Sequence, residues 1–183
     1  MNRLLLGTLL AFALSSPAIA REGHQIAVAL DVDSGAVVEI GDDGTGVAGL
    51  DGEKLAPPTP WVRSVARQLT SGQYDWAMGE NAATFSRDDM AIPPDAVPPG
   101  EVHIAFRQIG DSDHRLLVIS NGYDRALSYR AHIRVKGKDH YTDVCTVLPG
   151  IHGFEHWPYA IEAITLSELR LEDWPEGKKP RCE

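Results

Sequence analysis

Between Leu127 and Val135 apolar and polar residues alternate almost without a break. Leu127, Tyr129, Ala131, Ile133 and Val135 fall on one side, and Ser128, Arg130, His132 and Arg134 on the other. A period of two marks a strand with one buried face. Val102, Ile104 and Phe106 repeat it within Val102–Ile109, and Leu116–Ile119 is a short apolar run. Turn residues punctuate these segments: Gly110-Asp111-Ser112-Asp113, Asn121-Gly122-Tyr123-Asp124, and Gly137 inside Lys136–Asp139. Tyr141–Leu148 and Ile161–Leu171 read as two further strands.

The first half of the chain is patterned differently. Ile26–Val32 and Ala36–Ile40 read as strands, and Asp33-Ser34-Gly35 between them predicts a hairpin. The Gly-rich stretch GDDGTGVAGLDG, Gly41–Gly52, reads as a loop. Thr59 then offers an N-cap oxygen and Pro60 a first helical residue. Trp61, Val62, Val65, Ala66 and Leu69 follow at helical spacing, with Arg63, Ser64, Arg67 and Gln68 between them. The pattern predicts one short amphipathic helix ending near Gly72. Tyr74–Met90 fits no single period. IPPDAVPPG, Ile92–Gly100, holds four prolines in nine residues and reads as a rigid connection.

Short strands with frequent turns and no alternating helices predict a mainly β protein built as an antiparallel sandwich. Within it, LLVISNGYDRALSYRAHIRV resembles two adjacent strands of an immunoglobulin-like sandwich: one strand ends at a polar turn opened by Asn, and a long alternating strand with a central Tyr follows. The resemblance is architectural and covers the C-terminal half; the Cys…Trp…Cys spacing of antibody domains is absent. It implies a sandwich over 101–183, joined through the Pro-rich 93–100 to a hairpin-and-helix region over 21–92. Each half alone buries a limited core, so the two are expected to pack together.

The start of the chain changes the compartment. Met1-Asn2-Arg3 is a positive n-region, Leu4–Leu14 an apolar run too short to span a bilayer comfortably, and Ala18-Ile19-Ala20 a small-x-small cleavage site. Residues 1–20 therefore read as a signal peptide, with the mature chain starting near Arg21 in the periplasm or outside the cell. No Cys follows the cleavage site, which argues against a lipid anchor. No later apolar run is long enough to span, so no membrane insertion is expected. The formal charge is -9, without a Lys/Arg cluster, which argues against nucleic-acid partners. The two cysteines, Cys145 and Cys182, are expected to pair in an oxidising compartment.

Candidate chemistry concentrates in PGIHGFEHWP, Pro149–Pro158. His152-Gly153-Phe154-Glu155-His156 spells H-x-x-E-H, the string in which two His on one helical turn hold zinc and a Glu activates water. Pro149-Gly150, Gly153 and Pro158 leave room for one helical turn at most, which favours a loop. On that reading His152, Phe154, Glu155, His156 and Trp157 are binding candidates at one end of the sandwich. A zinc-dependent hydrolase using His152, Glu155 and His156 is the alternative. Asp31-Val32-Asp33-Ser34-Gly35 fails the calcium-loop pattern at its sixth and twelfth positions. Asp111-Ser112-Asp113-His114 reads as a turn. Trp61, Tyr74, Trp76 and Trp174 are dispersed as packing aromatics usually are. G-x-S-x-G, S-x-x-K and P-loop strings are absent. The sequence therefore assigns no catalytic residue, metal ligand or cofactor. It points to a non-enzymatic binding or accessory module whose partner is a protein or a small ligand.

Overall fold

The computed structural model describes residues 27–42, 46–70, 97–175 and 177–183, with backbone alone for 46–53. The signal-peptide stretch, Tyr74–Met90 and the start of the Pro-rich connection lie outside these residues.

Among the described residues, nine strands form two antiparallel sheets, and one helix lies outside them. The strands are β1 (Ala27–Asp31), β2 (Ser34–Ile40), β3 (Gly46–Lys54), β4 (Val102–Gln108), β5 (Arg115–Asn121), β6 (Ala126–Val135), β7 (Lys138–Thr142), β8 (His152–Trp157) and β9 (Ala163–Glu172). The helix α1 spans Pro60–Thr70. One sheet runs β1-β9-β6-β7 and the other β3-β2-β4-β5-β8. Inward side chains of both sheets meet in one apolar cluster, among them Val28, Leu30, Val38, Phe106, Leu117, Ile119, Leu127, Ile164 and Leu166, each at most 1% exposed. The alternation expected for Val102–Phe106 and Leu127–Val135 holds, with a bulge between Ser128 and Arg130. Lys136 and Gly137 both take positive φ, as a two-residue hairpin turn requires.

Four expectations are corrected. β1 and β2 are not a hairpin: Asp33, at φ 61°, turns the chain from one sheet into the other, and β1 pairs with β9 while β2 pairs with β3 and β4. Asp, Ser and Gly reverse the chain well enough, but their chemistry does not choose the sheet each strand joins. Strands of the first half extend both sheets formed by strands of the second. Residues 46–52 of the Gly-rich stretch belong to a strand, β3, because β2 offers its edge for backbone pairing, which needs no side chains. In Tyr141–Leu148 only the first two residues belong to a strand; beyond Thr142 pairing shrinks to single bridges at Cys145 and Val147. The fourth correction, at His152–Trp157, belongs to the site below.

The turn between β5 and β6 is held by side chains. The buried Asn121 donates Nδ2 to the carbonyls of Arg125 (2.8 Å) and Leu148 (3.2 Å), and its Oδ1 accepts the Tyr123 N–H at 3.0 Å. The Tyr123 hydroxyl accepts from the Ile40 N–H (2.7 Å) and donates to the Ile40 carbonyl (3.1 Å), tying this turn to the end of β2. Gly122 lies against the carbonyls of Pro98 and Glu101, where a Cβ would collide with backbone.

Candidate functional site

The helix forms where its signals placed it. Thr59 Oγ1 accepts the Val62 N–H at 3.3 Å, and Pro60 is the first helical residue. Its apolar stripe covers the outer face of the five-stranded sheet. Trp61, Ala66 and Leu69 pack with Leu116 and Val118 of β5, and Ala105 and Phe154 close in from the side. Trp61 is clamped by β8: its ring centroid lies 4.9 Å from that of His152 and 5.5 Å from that of Phe154.

Within PGIHGFEHWP, His152–Trp157 is thus a strand rather than part of a loop. The left-handed Gly150 completes the turn before it. Pro158 holds Trp157 extended, and the edge of β5 supplies six consecutive partners. The residues that forbid a helix are compatible with a strand. In extended chain, His152, Phe154 and His156 face outward, while Gly153, Glu155 and Trp157 face the core. Four residue steps of strand separate His152 from His156 by roughly 13 Å, and Glu155 points the other way. H-x-x-E-H therefore does not converge on one ion, and no group of three or more His, Cys, Asp or Glu among the described residues does.

Each of the five candidates has a place. Ser120 Oγ lies 2.6 Å from His152 Nδ1, and burial lowers the His152 pKa. Phe154 props Trp61. Glu155 accepts the Cys145 N–H at 2.7 Å, and burial pushes its pKa up to about 7. His156 meets His114 with Nε2 3.0 Å from Nδ1. Trp157 donates Nε1–H to Thr142 Oγ1 at 3.0 Å and meets Phe106 edge-on.

The helix also creates something the five do not include. Between α1 and β4–β5 lies a cleft of about 320 Å³. Val62, Ala66, Ile109 and Leu116 give it an apolar lining, and Arg63, Arg67 and Arg107 stand around it. No acidic side chain lines it among the described residues. Arg107 Nη1 donates to the Ala56 carbonyl at 2.9 Å, but its Nε is buried without a hydrogen-bond partner among the described residues. Burial lowers the Arg107 pKa, with Asp33 acting in the opposite direction. A guanidinium N–H left unmade in a buried position costs on the order of 1–3 kcal/mol, more for a charged group.

Sequence reading missed these arginines as a set. Arg63 and Arg67 were legible as the polar side of a helix with no acid in its first turn. Arg107 comes from a strand some forty residues on, so only the packing of α1 over β4 brings it in.

A scan against protein-family models and a search of curated proteins return no match for this chain.

Proposed function

We propose that the protein is an exported, non-enzymatic module that binds a small organic anion with an apolar body in the cleft between α1 and β4–β5. The carrying observation is the cleft itself: three guanidinium groups, one with an unsatisfied Nε, around an apolar lining. In a chain of formal charge -9, three cations beside one cleft with no lining acid stand against the background. The apolar lining suits a hydrocarbon or ring, and the arginines suit a carboxylate, sulfonate or phosphate. Export is supported by the n-region, apolar run and cleavage site of residues 1–20 together with the Cys145–Cys182 disulfide. An immunoglobulin-like reading of the sheets is supported by β4-β5-β8 on one side and β7-β6-β9 on the other, with β1 added as an edge strand beside β9. The interleaving of early and late strands supports one domain over 27–183.

Titration calorimetry with decanoate tests the ligand reading, with decylammonium as the cationic counterpart of equal chain length. Decanoate should bind saturably at one site, and decylammonium should not. Arg67→Ala and Arg107→Gln should each weaken decanoate by about tenfold, near 1.4 kcal/mol. Equal binding of the two probes, or decanoate binding untouched by both variants, would overturn the proposal.

A further inference from the structure

The H-x-x-E-H string joins His156 to the wrong partner. In the sheet, Leu116 lies directly opposite His156. His114, two residues before Leu116, is therefore its diagonal neighbour, within reach across the strands. His114 Nδ1 and His156 Nε2 are 3.0 Å apart, with ring centroids at 5.1 Å and planes inclined by 37°. Both residues are half-buried.

The contact is an imidazole–imidazole hydrogen bond, and its length also matches the bite of a chelate. Two imidazole nitrogens at the usual 2.0–2.1 Å from one metal ion are separated by about 2.9 Å at adjacent corners of a square and about 3.3 Å in a tetrahedron. The observed 3.0 Å falls between these values. In the metal-free chain one facing nitrogen donates its N–H to the other; when a metal binds, that proton moves to the nitrogen facing away, and both facing nitrogens become ligands.

The backbone around the pair is fixed. The His114 N–H donates to Ser112 Oγ at 3.2 Å, and the His114 carbonyl accepts from the Ile109 N–H at 3.0 Å and from Arg115 Nη1 at 3.1 Å. His156 is held in β8 by its register with β5. No third His, Cys, Asp or Glu joins them among the described residues, so further positions on an ion would fall to water or an external ligand. Imidazole suits the later first-row divalent ions, with Cu²⁺ highest in the affinity order, whereas Mg²⁺ and Ca²⁺ require oxygen sets.

We propose that His114 and His156 form a bis-imidazole site for a divalent d-block cation, Cu²⁺ before Zn²⁺, with open coordination positions. The site is independent of the anion-binding reading: it uses none of the three arginines and is tested with metal alone.

The test uses the untagged mature chain titrated with Cu²⁺ by calorimetry and followed by electron paramagnetic resonance. One equivalent should bind, with a superhyperfine pattern from two equatorial nitrogens, and Mg²⁺ should not bind. His114→Ala and His156→Ala should each weaken Cu²⁺ at least tenfold, and His114→Gln, which keeps a polar side chain there, should do the same with an unchanged urea midpoint. His24→Ala and His140→Ala should leave binding intact. Absence of saturable copper binding would sink the site. So would full binding in the His114→Ala/His156→Ala double variant, or loss of binding in His24→Ala alone.

Discussion

Glu155 is the residue on which sequence and structure part most sharply. The motif makes it the partner of two histidines; the strand turns it to the opposite face, toward the space between the sheets. There it accepts the Cys145 N–H, beside a Gly153 whose missing Cβ leaves room for Val147. Burial raises its pKa from 4.5 to about 7 despite that hydrogen bond, and Asp143 adds to the rise. The same burial, with Glu155 next in order, raises the Tyr129 hydroxyl well above its ordinary value. Between about pH 4.5 and about 7 the folded chain therefore holds a proton at Glu155 more readily than the unfolded chain does. Its contribution to stability is fully present below about pH 4.5 and is lost as pH rises through about 7. The full shift corresponds to roughly 3 kcal/mol as an upper bound. Glu155→Gln keeps an acceptor for Cys145 and cannot ionise. It should therefore gain on the wild type by about 1–3 kcal/mol between pH 5 and pH 8. His152 and His156, lowered by burial, add stability as pH rises toward 6.5, but both proteins carry them and the comparison removes them. Urea midpoints at the two pH values are the measurement, and an unchanged difference between variant and wild type would clear Glu155 of the effect.

At the scale of elements, the helix depends on the strand beneath it. Eleven residues are too few for a stable helix in water, so α1 persists through its packing on β5 and β8. Trp61, 7% exposed, is the anchor, held by His152 and Phe154. Trp61→Ala should cost about 3–5 kcal/mol if the whole molecule reports it. If α1 detaches on its own, the loss stops at the local opening energy. Hydrogen exchange decides: the 60–70 amides should lose protection while β5 and β6 keep theirs, and decanoate binding should fall with them. Retained protection across 60–70 would show that Trp61 does not anchor the helix. The helix was legible because its cap, its first proline and its stripe are local signals. β4, β5, β6 and the β6–β7 turn were legible for the same reason. β8 was not, because its prolines and glycine say where a helix cannot be and leave strand and loop alike open. β3 and the partners of β1 were not, because backbone pairing with distant residues leaves no mark on the strand that joins. The arginine cleft shares that limit: a helix and a strand each carry an unremarkable part of it.

The first and last described segments both tie into the body of the fold. β1 enters first and packs Val28 and Leu30 into the shared core beside β9. The last residues return to the middle of the chain. The Val144 N–H donates to the Glu183 carbonyl at 2.9 Å, the Glu183 N–H to the Val144 carbonyl at 3.0 Å, and the Thr146 N–H to the Arg181 carbonyl at 2.8 Å. Cys145 and Cys182 are joined across this short ladder, as the count of two cysteines led us to expect. The bond spans 37 residues and encloses β8 and β9. Chain entropy assigns such a closure roughly 4 kcal/mol, lost from the unfolded state rather than gained in the folded one. The tail's own backbone bonds are few and near the surface, so they are poor insurance once the link is cut. Cys145→Ala/Cys182→Ala should therefore lose about 2–4 kcal/mol in urea unfolding, and reductant should lower the wild type toward the variant while leaving the variant unmoved. The loss should extend beyond the tail, because the Cys145 N–H is also the partner of Glu155. Rising pH should then destabilise the double variant more steeply than the wild type if loosening residue 145 weakens that hydrogen bond. A variant as stable as the wild type at every pH would mean that the backbone ladder alone fixes the tail and that the disulfide contributes nothing to the fold.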